Sequence, residues 1–192
     1  MRNLVRASIL IGLFLFAMIA LVGCSNRFDG PEDPPPSAQI GATYYTQVGM
    51  YYEKGHYRTT NYGVGVFLPM NSAVELIEFG RKSFTVAIVK TGETVECVNY
   101  PKHTNWSLVE SFDKLFSPQK VSLLKFNANE RKYIESGQIS KGMSKAAVIA
   151  ARGYPPSHET PSLQRDQWKY WKNRWDTIIV KFKNDRVENI KD

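Results

Sequence analysis

The sequence predicts an α+β protein behind an export signal and a proline-rich tether. Three observations lead there. Short apolar alternations separated by Gly-containing turns run over residues 43–100, an amphipathic stretch covers 105–116, and a helix–helix–strand–strand–strand pattern fills the last third. Runs of strands, then helices, then a strand meander belong to antiparallel sheets with helices on one face, not to alternating βα units. The boundaries read as 1–23 signal, 24–41 tether, 42–103 small β-barrel-like module, 104–128 bridging amphipathic helix and linker, and 129–192 α+β module.

Arg2 and Arg6 make a positive N-terminal region, residues 9–22 an apolar one, and small Gly23 precedes Cys24. This is the order of a secretory signal, and the run falls short of the roughly 20 apolar residues of a confident membrane span. Leu21-Val22-Gly23-Cys24 resembles the lipobox of bacterial lipoproteins. That resemblance implies cleavage before Cys24, lipid (palmitate among it) on the thiol, and retention at a membrane. Ser25 at the next position implies the outer membrane, periplasmic face. An uncleaved anchor helix is the alternative. Each buried methylene of such a lipid contributes about 0.8 kcal/mol, so several chains hold firmly.

Residues 25–39 are rich in Pro, Gly, Ser, Asn and Asp around Pro34-Pro35-Pro36 and read as a spacer. At about 3.1 Å per residue in polyproline II they reach on the order of 45 Å. The chain carries 25 Lys plus Arg against 18 Asp plus Glu, and removal of the signal takes away only Arg2 and Arg6, so the remainder stays basic. Scattered positive charge suits anionic headgroups or acidic partner loops, and the export signal argues against nucleic acid. Cys97 is the only other cysteine. With Cys24 acylated no intrachain disulfide can form, and Cys97, in a strand-like run, reads as a buried small hydrophobe.

In the first module, Tyr44, Tyr45, Val48, Tyr51 and Tyr52 form an aromatic stretch, and residues 63–71 and 73–79 follow as extended segments. Val74 and Leu76 alternate with Glu75, but Ile77 and Phe79 break phase, which predicts a bulge or a two-sided strand. Gly80-Arg81-Lys82 and Thr91-Gly92-Glu93 read as turns flanking a strand at 84–89, with another at 95–98. Leu68-Pro69-Met70-Asn71-Ser72-Ala73-Val74 is similar to the turn motif of SH3-like barrels, with Asn71 in place of the usual Gly. The tyrosines between Tyr44 and Tyr100 suit core and rim packing, or a ligand platform. Over 105–116, Trp106, Val109, Phe112 and Phe116 form one stripe, with Thr104 as cap and Ser117-Pro118 as stop. This helix is expected to pack on the barrel or to bridge the two halves.

In the last third, Asn129 is expected to cap a short helix that Gly137 ends, with Glu130 and Glu135 on its solvated face. Ser144 caps a second helix, with Met143 stapled to Val148, and Gly153 with Pro155-Pro156 stops it. Strands follow at 167–172 and 176–183, a two-residue Asn184-Asp185 turn, and a third strand at 186–191.

Ile139, Gly142, Met143, Ser144 and Val148, then Gly153 and Pro155, then Trp168 and Tyr170, then Val180, Phe182, Asn184 and Val187 form a spaced pattern. It is similar to that of the SmpA/OmlA lipoproteins, a family that includes a small lipoprotein subunit of the outer-membrane β-barrel assembly machine. The resemblance covers about the last 60 residues and implies the α-α-β-β-β fold and envelope protein partners. The added β module and helix, and the Gly153-Tyr154-Pro155-Pro156 loop, depart from the family's simplest members.

No Gly-x-Ser-x-Gly, phosphate-binding loop or dinucleotide fingerprint occurs, and His56, His103 and His158 lie at none of the spacings of a metal site. Asp166, Asp176 and Asp185 sit at strand ends, where Asp favours turns. No catalytic residue, metal or cofactor is therefore expected. If Trp168 and Tyr170 point inward, period two points Lys169 and Trp171 outward. With Lys172, Arg174 and Trp175 they make an aromatic and basic patch of the kind that binds partners. The competing reading packs Trp171 under the β module and closes the hairpin with Trp175. The expected function is a non-catalytic scaffold or accessory in envelope or outer-membrane protein assembly, with a peptidoglycan- or glycan-binding module as the alternative. A hydrolase or enzyme inhibitor forms a third class, for which the nucleophile and base are missing.

Overall fold

Period-two alternation between Thr43 and Val98 produces the strands of the first half in a computed structural model that describes residues 34–192. The signal, Cys24 and the start of the tether lie outside the described residues. The strands are β1 (Thr43–Thr46), β2 (Met50–Tyr52), β3 (His56–Arg58), β4 (Val66–Leu68), β5 (Ala73–Phe79), β6 (Ser83–Ile88) and β7 (Thr94–Val98). After α1 (Pro101–Thr104) and α2 (Leu108–Leu115) the chain adds the short β8 (Phe116–Ser117). A six-stranded sheet runs in the order β3-β7-β6-β5-β1-β8, and β2 pairs with β4 separately. All pairs are antiparallel except β3 with β7.

The phase break in β5 is a bulge. The register to β6 shifts between Leu76 and Glu78, which turns Ile77 outward and lets Phe79 rejoin the buried face. Extra twist is the usual consequence of such an insertion. The first core holds Tyr44, Val74, Leu76, Phe84, Val86, Val95 and Cys97 beneath Phe112, Leu115 and Phe116. Its rings meet largely edge to face, as in Tyr44–Phe112 at 5.1 Å and Phe84–Phe112 at 5.2 Å between centroids, a favoured aromatic geometry.

α2 packs on the first module, one of the two placements expected of it: its buried side chains join the first core, β8 pairs with β1, and Lys114 also lies over the Tyr154 ring of the second half. Other expectations need correction here. Ser107, not Thr104, caps α2: its hydroxyl accepts from the Glu110 N–H, and the Glu110 carboxylate three residues on accepts from the Ser107 N–H. Trp106 therefore falls outside the helix and packs edge-on to Tyr154. The buried stripe is Leu108, Ser111, Phe112 and Leu115. The end of the tether is also part of the fold. Ala38 is buried, and the Tyr44 hydroxyl donates to the Ser37 carbonyl and accepts from the Gln39 N–H.

The last third forms α3 (Ala128–Ser136), α4 (Lys145–Arg152), β9 (Gln167–Trp171), β10 (Thr177–Lys183) and β11 (Arg186–Lys191), the strands in the antiparallel order β11-β10-β9. Asn127, not Asn129, caps α3, again because a Glu stands three residues later. Gly137 ends α3 at φ 70, and Asn184 and Asp185 both take positive φ in the β10–β11 turn. Ser144 caps α4. Trp168, Tyr170, Val180 and Phe182 face Val148, Met143 and Ile134 in a second core.

The two cores belong to one compact unit. Their seam carries Ile149, packed against both cores, and a set of polar contacts. The Gly49 N–H donates to the Ala150 carbonyl at 2.8 Å and the Gly63 N–H to the Trp171 carbonyl at 3.0 Å. Asn61, buried at φ 56, donates to the carbonyls of Arg152 and Tyr154 and accepts from the Arg152 guanidinium.

Candidate partner-binding groove

The β9–β10 turn is built by Asn173. Its Oδ1 accepts from the N–H groups of Trp175 (2.7 Å) and Asp176 (2.9 Å), and its Nδ2 donates to Asp176. A short polar side chain bonding its own backbone two and three residues on is a common turn device. Here it pushes the Trp175 indole into solvent, 81% exposed, with the Arg174 guanidinium 5.2 Å from the ring centroid.

Facing this tip is the edge strand β3 and the chain that follows it. Arg58, Thr60, Tyr62, Tyr100 and His103 join Arg174 and Trp175 around a groove of about 650 Å³, and Glu53 is its only acid. The groove is aromatic and net positive. A second cavity of about 680 Å³ adjoins it across Val64 and Asn173, with Tyr51, Arg152, Lys172 and Asp192 among its walls. Arg152 is buried without a carboxylate partner among the described residues. Its cation lies 4.9 Å from the Tyr51 ring centroid and 5.7 Å from that of Tyr170, and it donates to the carbonyls of Asn61 and Trp171. Burial pulls its affinity for the proton below the ordinary arginine value.

Of the five residues expected to form one patch, three line these cavities and two do not. Arg174 and Trp175 line the groove, and Lys172 lines the second cavity, paired to Asp192 at 3.0 Å. Trp171 is half-buried, edge-on to Tyr62 of the first module, as the competing reading had it for that residue. Lys169 pairs with Glu159 at 2.9 Å and lies over the Trp171 ring. Trp175 does not close the hairpin. Arg58, Tyr62, Tyr100 and His103 were missed because they come from the other module, and no local spacing links them to Trp175.

His103 and His158 also meet, with Nδ1 atoms 3.2 Å apart. Burial first, then the charges of His158 and Lys102, hold His103 below the usual histidine range. Cys97 is buried in β7, and burial with the nearby Glu96 pushes its thiol far up, so it stays protonated at neutral pH. Among the described residues no group of three or more His, Cys, Asp or Glu is placed to hold a metal, and no helix is long and apolar enough to cross a membrane. Comparison of the chain with protein-family models, curated proteins and solved structures finds no match.

Proposed function

We propose that this chain is an outer-membrane lipoprotein, anchored on the periplasmic face through lipid on Cys24, and a non-catalytic scaffold in envelope or outer-membrane protein assembly. In this reading the last third is an SmpA/OmlA-like module. The first is an SH3-like variant, a likeness supported by Asn71, which takes positive φ where that family's turn motif has Gly. The observation that carries the proposal is the groove: an exposed indole and two guanidinium groups, Arg58 and Arg174, set among Tyr62 and Tyr100. Trp, Tyr and Arg dominate binding hot spots, and a desolvated centre ringed by polar groups suits an acidic or aromatic segment of a protein partner.

A photo-crosslinking side chain at position 175, in cells, tests this. Envelope proteins are the expected adducts, and Arg174→Ala should deplete them while leaving the protein folded. Cys24→Ala should release the protein from membranes. Adducts unaffected by Arg174→Ala, or a Cys24→Ala protein that still pellets with membranes in high salt, would overturn the corresponding half of the proposal. The aromatic lining also favours a second reading, in which the groove holds a glycan strand of peptidoglycan. Co-sedimentation with purified sacculi that depends on Trp175, without protein adducts, selects it.

A further inference from the structure

His103 lies in α1, which follows β7 in the first module, and His158 in the connector after α4. Two hydrogen bonds to main-chain carbonyls dock one on the other. The Ser157 hydroxyl donates to the Thr104 carbonyl at 2.6 Å, and the His158 N–H points at the His103 carbonyl at 3.4 Å. The imidazoles meet at 63° with centroids 4.4 Å apart, and their Nδ1 atoms approach to 3.2 Å.

Two nitrogens at that separation, each about 2.0–2.1 Å from one ion, subtend roughly 100–105° there, close to the tetrahedral angle of about 109°. The far nitrogen of His158, Nε2, lies 3.6 Å from Glu159 Oε1, and the other oxygen of Glu159 is held by Lys169 at 2.9 Å. At 3.6 Å the His158–Glu159 contact is ion-pair proximity and not a hydrogen bond, but it places a carboxylate on the side of the ring where a metal-ligating histidine characteristically has one.

From this geometry we infer that His103 and His158 form a two-histidine site for a divalent transition ion of the zinc or copper type. Imidazole ligands select such ions over magnesium or calcium. The remaining coordination positions are left to water or to a ligand, and the ion clips the first module to the connector of the second. The competing account is a plain imidazole–imidazole hydrogen bond, in which one Nδ1–H donates to the other ring.

Calorimetric titration of Zn2+ into the full chain separates the two. A Cys24→Ser version, free of the only other cysteine besides buried Cys97, is titrated alongside. One ion per chain is expected in both. His103→Ala and His158→Ala should each weaken binding at least tenfold, while His56→Ala, which alters the separate pair with Glu96, should leave it unchanged. Zn2+ should raise the melting temperature of the wild type and not that of the two weakened variants. Near-ultraviolet circular dichroism without metal checks that both variants remain folded; if either does not, His103→Asn and His158→Asn take their place. Absence of binding, binding undiminished in either variant, or binding that follows His56 overturns the inference.

Discussion

Glu130 shows how one side chain can organise a module. Expected on the solvated face of its helix, it is instead 4% exposed, and its Oε2 accepts from the Asn127 N–H at 3.1 Å to close the capping box of α3. Its Oε1 accepts from the Ser144 N–H at 2.8 Å, the cap residue of α4, and Arg186 of β11 stands 3.6 Å away. One carboxylate thus ties the starts of both helices to the third strand. Burial works against its charge, but the hydrogen bonds from Ser144 and Asn127 and the charge of Arg186 outweigh it, so its pKa falls below the ordinary glutamate value. A carboxylate whose folded pKa is depressed contributes stability that is complete above its unfolded pKa and is lost as pH falls through the folded one. Glu130→Gln keeps the shape but removes the charge, and should cost about 1–3 kcal/mol at neutral pH. Urea unfolding at a series of pH values checks both size and sign. The gap between wild type and variant should be flat above about pH 5.5 and shrink steadily below it. A gap that widens in acid would mean that the carboxylate is not held ionised.

At the scale of elements, the parts that local pattern governs are the ones the sequence announces. β10 alternates Ile178, Val180 and Phe182, and the buried face follows that phase. Phe182 meets Trp168 at 4.6 Å between ring centroids and is 5% exposed. Phe182→Ala should therefore destabilise the chain by about 3–5 kcal/mol, read from the urea midpoint at unchanged slope. A loss under about 1 kcal/mol would place the ring outside the core. The bulge in β5 was equally visible, since it is written as a break in alternation. Helix starts were less so. Thr104 and Ser107, or Asn127 and Asn129, are interchangeable as caps by residue type, and the glutamate three residues later decides between them in both cases. The groove was legible only on one wall. Arg174 and Trp175 are neighbours in sequence, but Arg58, Tyr62 and Tyr100 reach them through tertiary packing that no periodicity encodes. The same holds for His103 and His158, which stand far apart in sequence and 3.2 Å apart in space.

At the scale of the whole molecule, the question is whether two cores act as one. The seam mixes apolar contacts (Ile149 packed against both cores, Trp171 against Tyr62) with a buried polar cluster. That cluster is organised by Arg152, a cation buried at the end of α4 whose partners are neutral: the side chain and carbonyl of Asn61, the carbonyl of Trp171, and the faces of Tyr51 and Tyr170. A Cβ at Gly63 would collide with the guanidinium, so the first module's backbone closes directly over it. Carbonyl dipoles and ring quadrupoles together offset the desolvation of one charge, and a forked planar donor serves several acceptors where an ammonium serves them poorly. Arg152→Met preserves much of the volume but strands the acceptors of Asn61 and Trp171, a loss of about 2–4 kcal/mol. Arg152→Lys keeps the charge but loses the fork, and should fall between Met and wild type. The mode of unfolding is the sharper readout. The wild type should unfold in one transition, with tryptophan fluorescence and far-ultraviolet circular dichroism coincident. In Arg152→Met the two signals should separate, because three of the four tryptophans, Trp168, Trp171 and Trp175, report on the last third while the dichroism sums the helices and sheets of both modules. Coincident signals in Arg152→Met would show that the main-chain bonds from Gly49 and Gly63 suffice to couple the modules, and that the buried arginine serves the lining of the adjoining cavity instead.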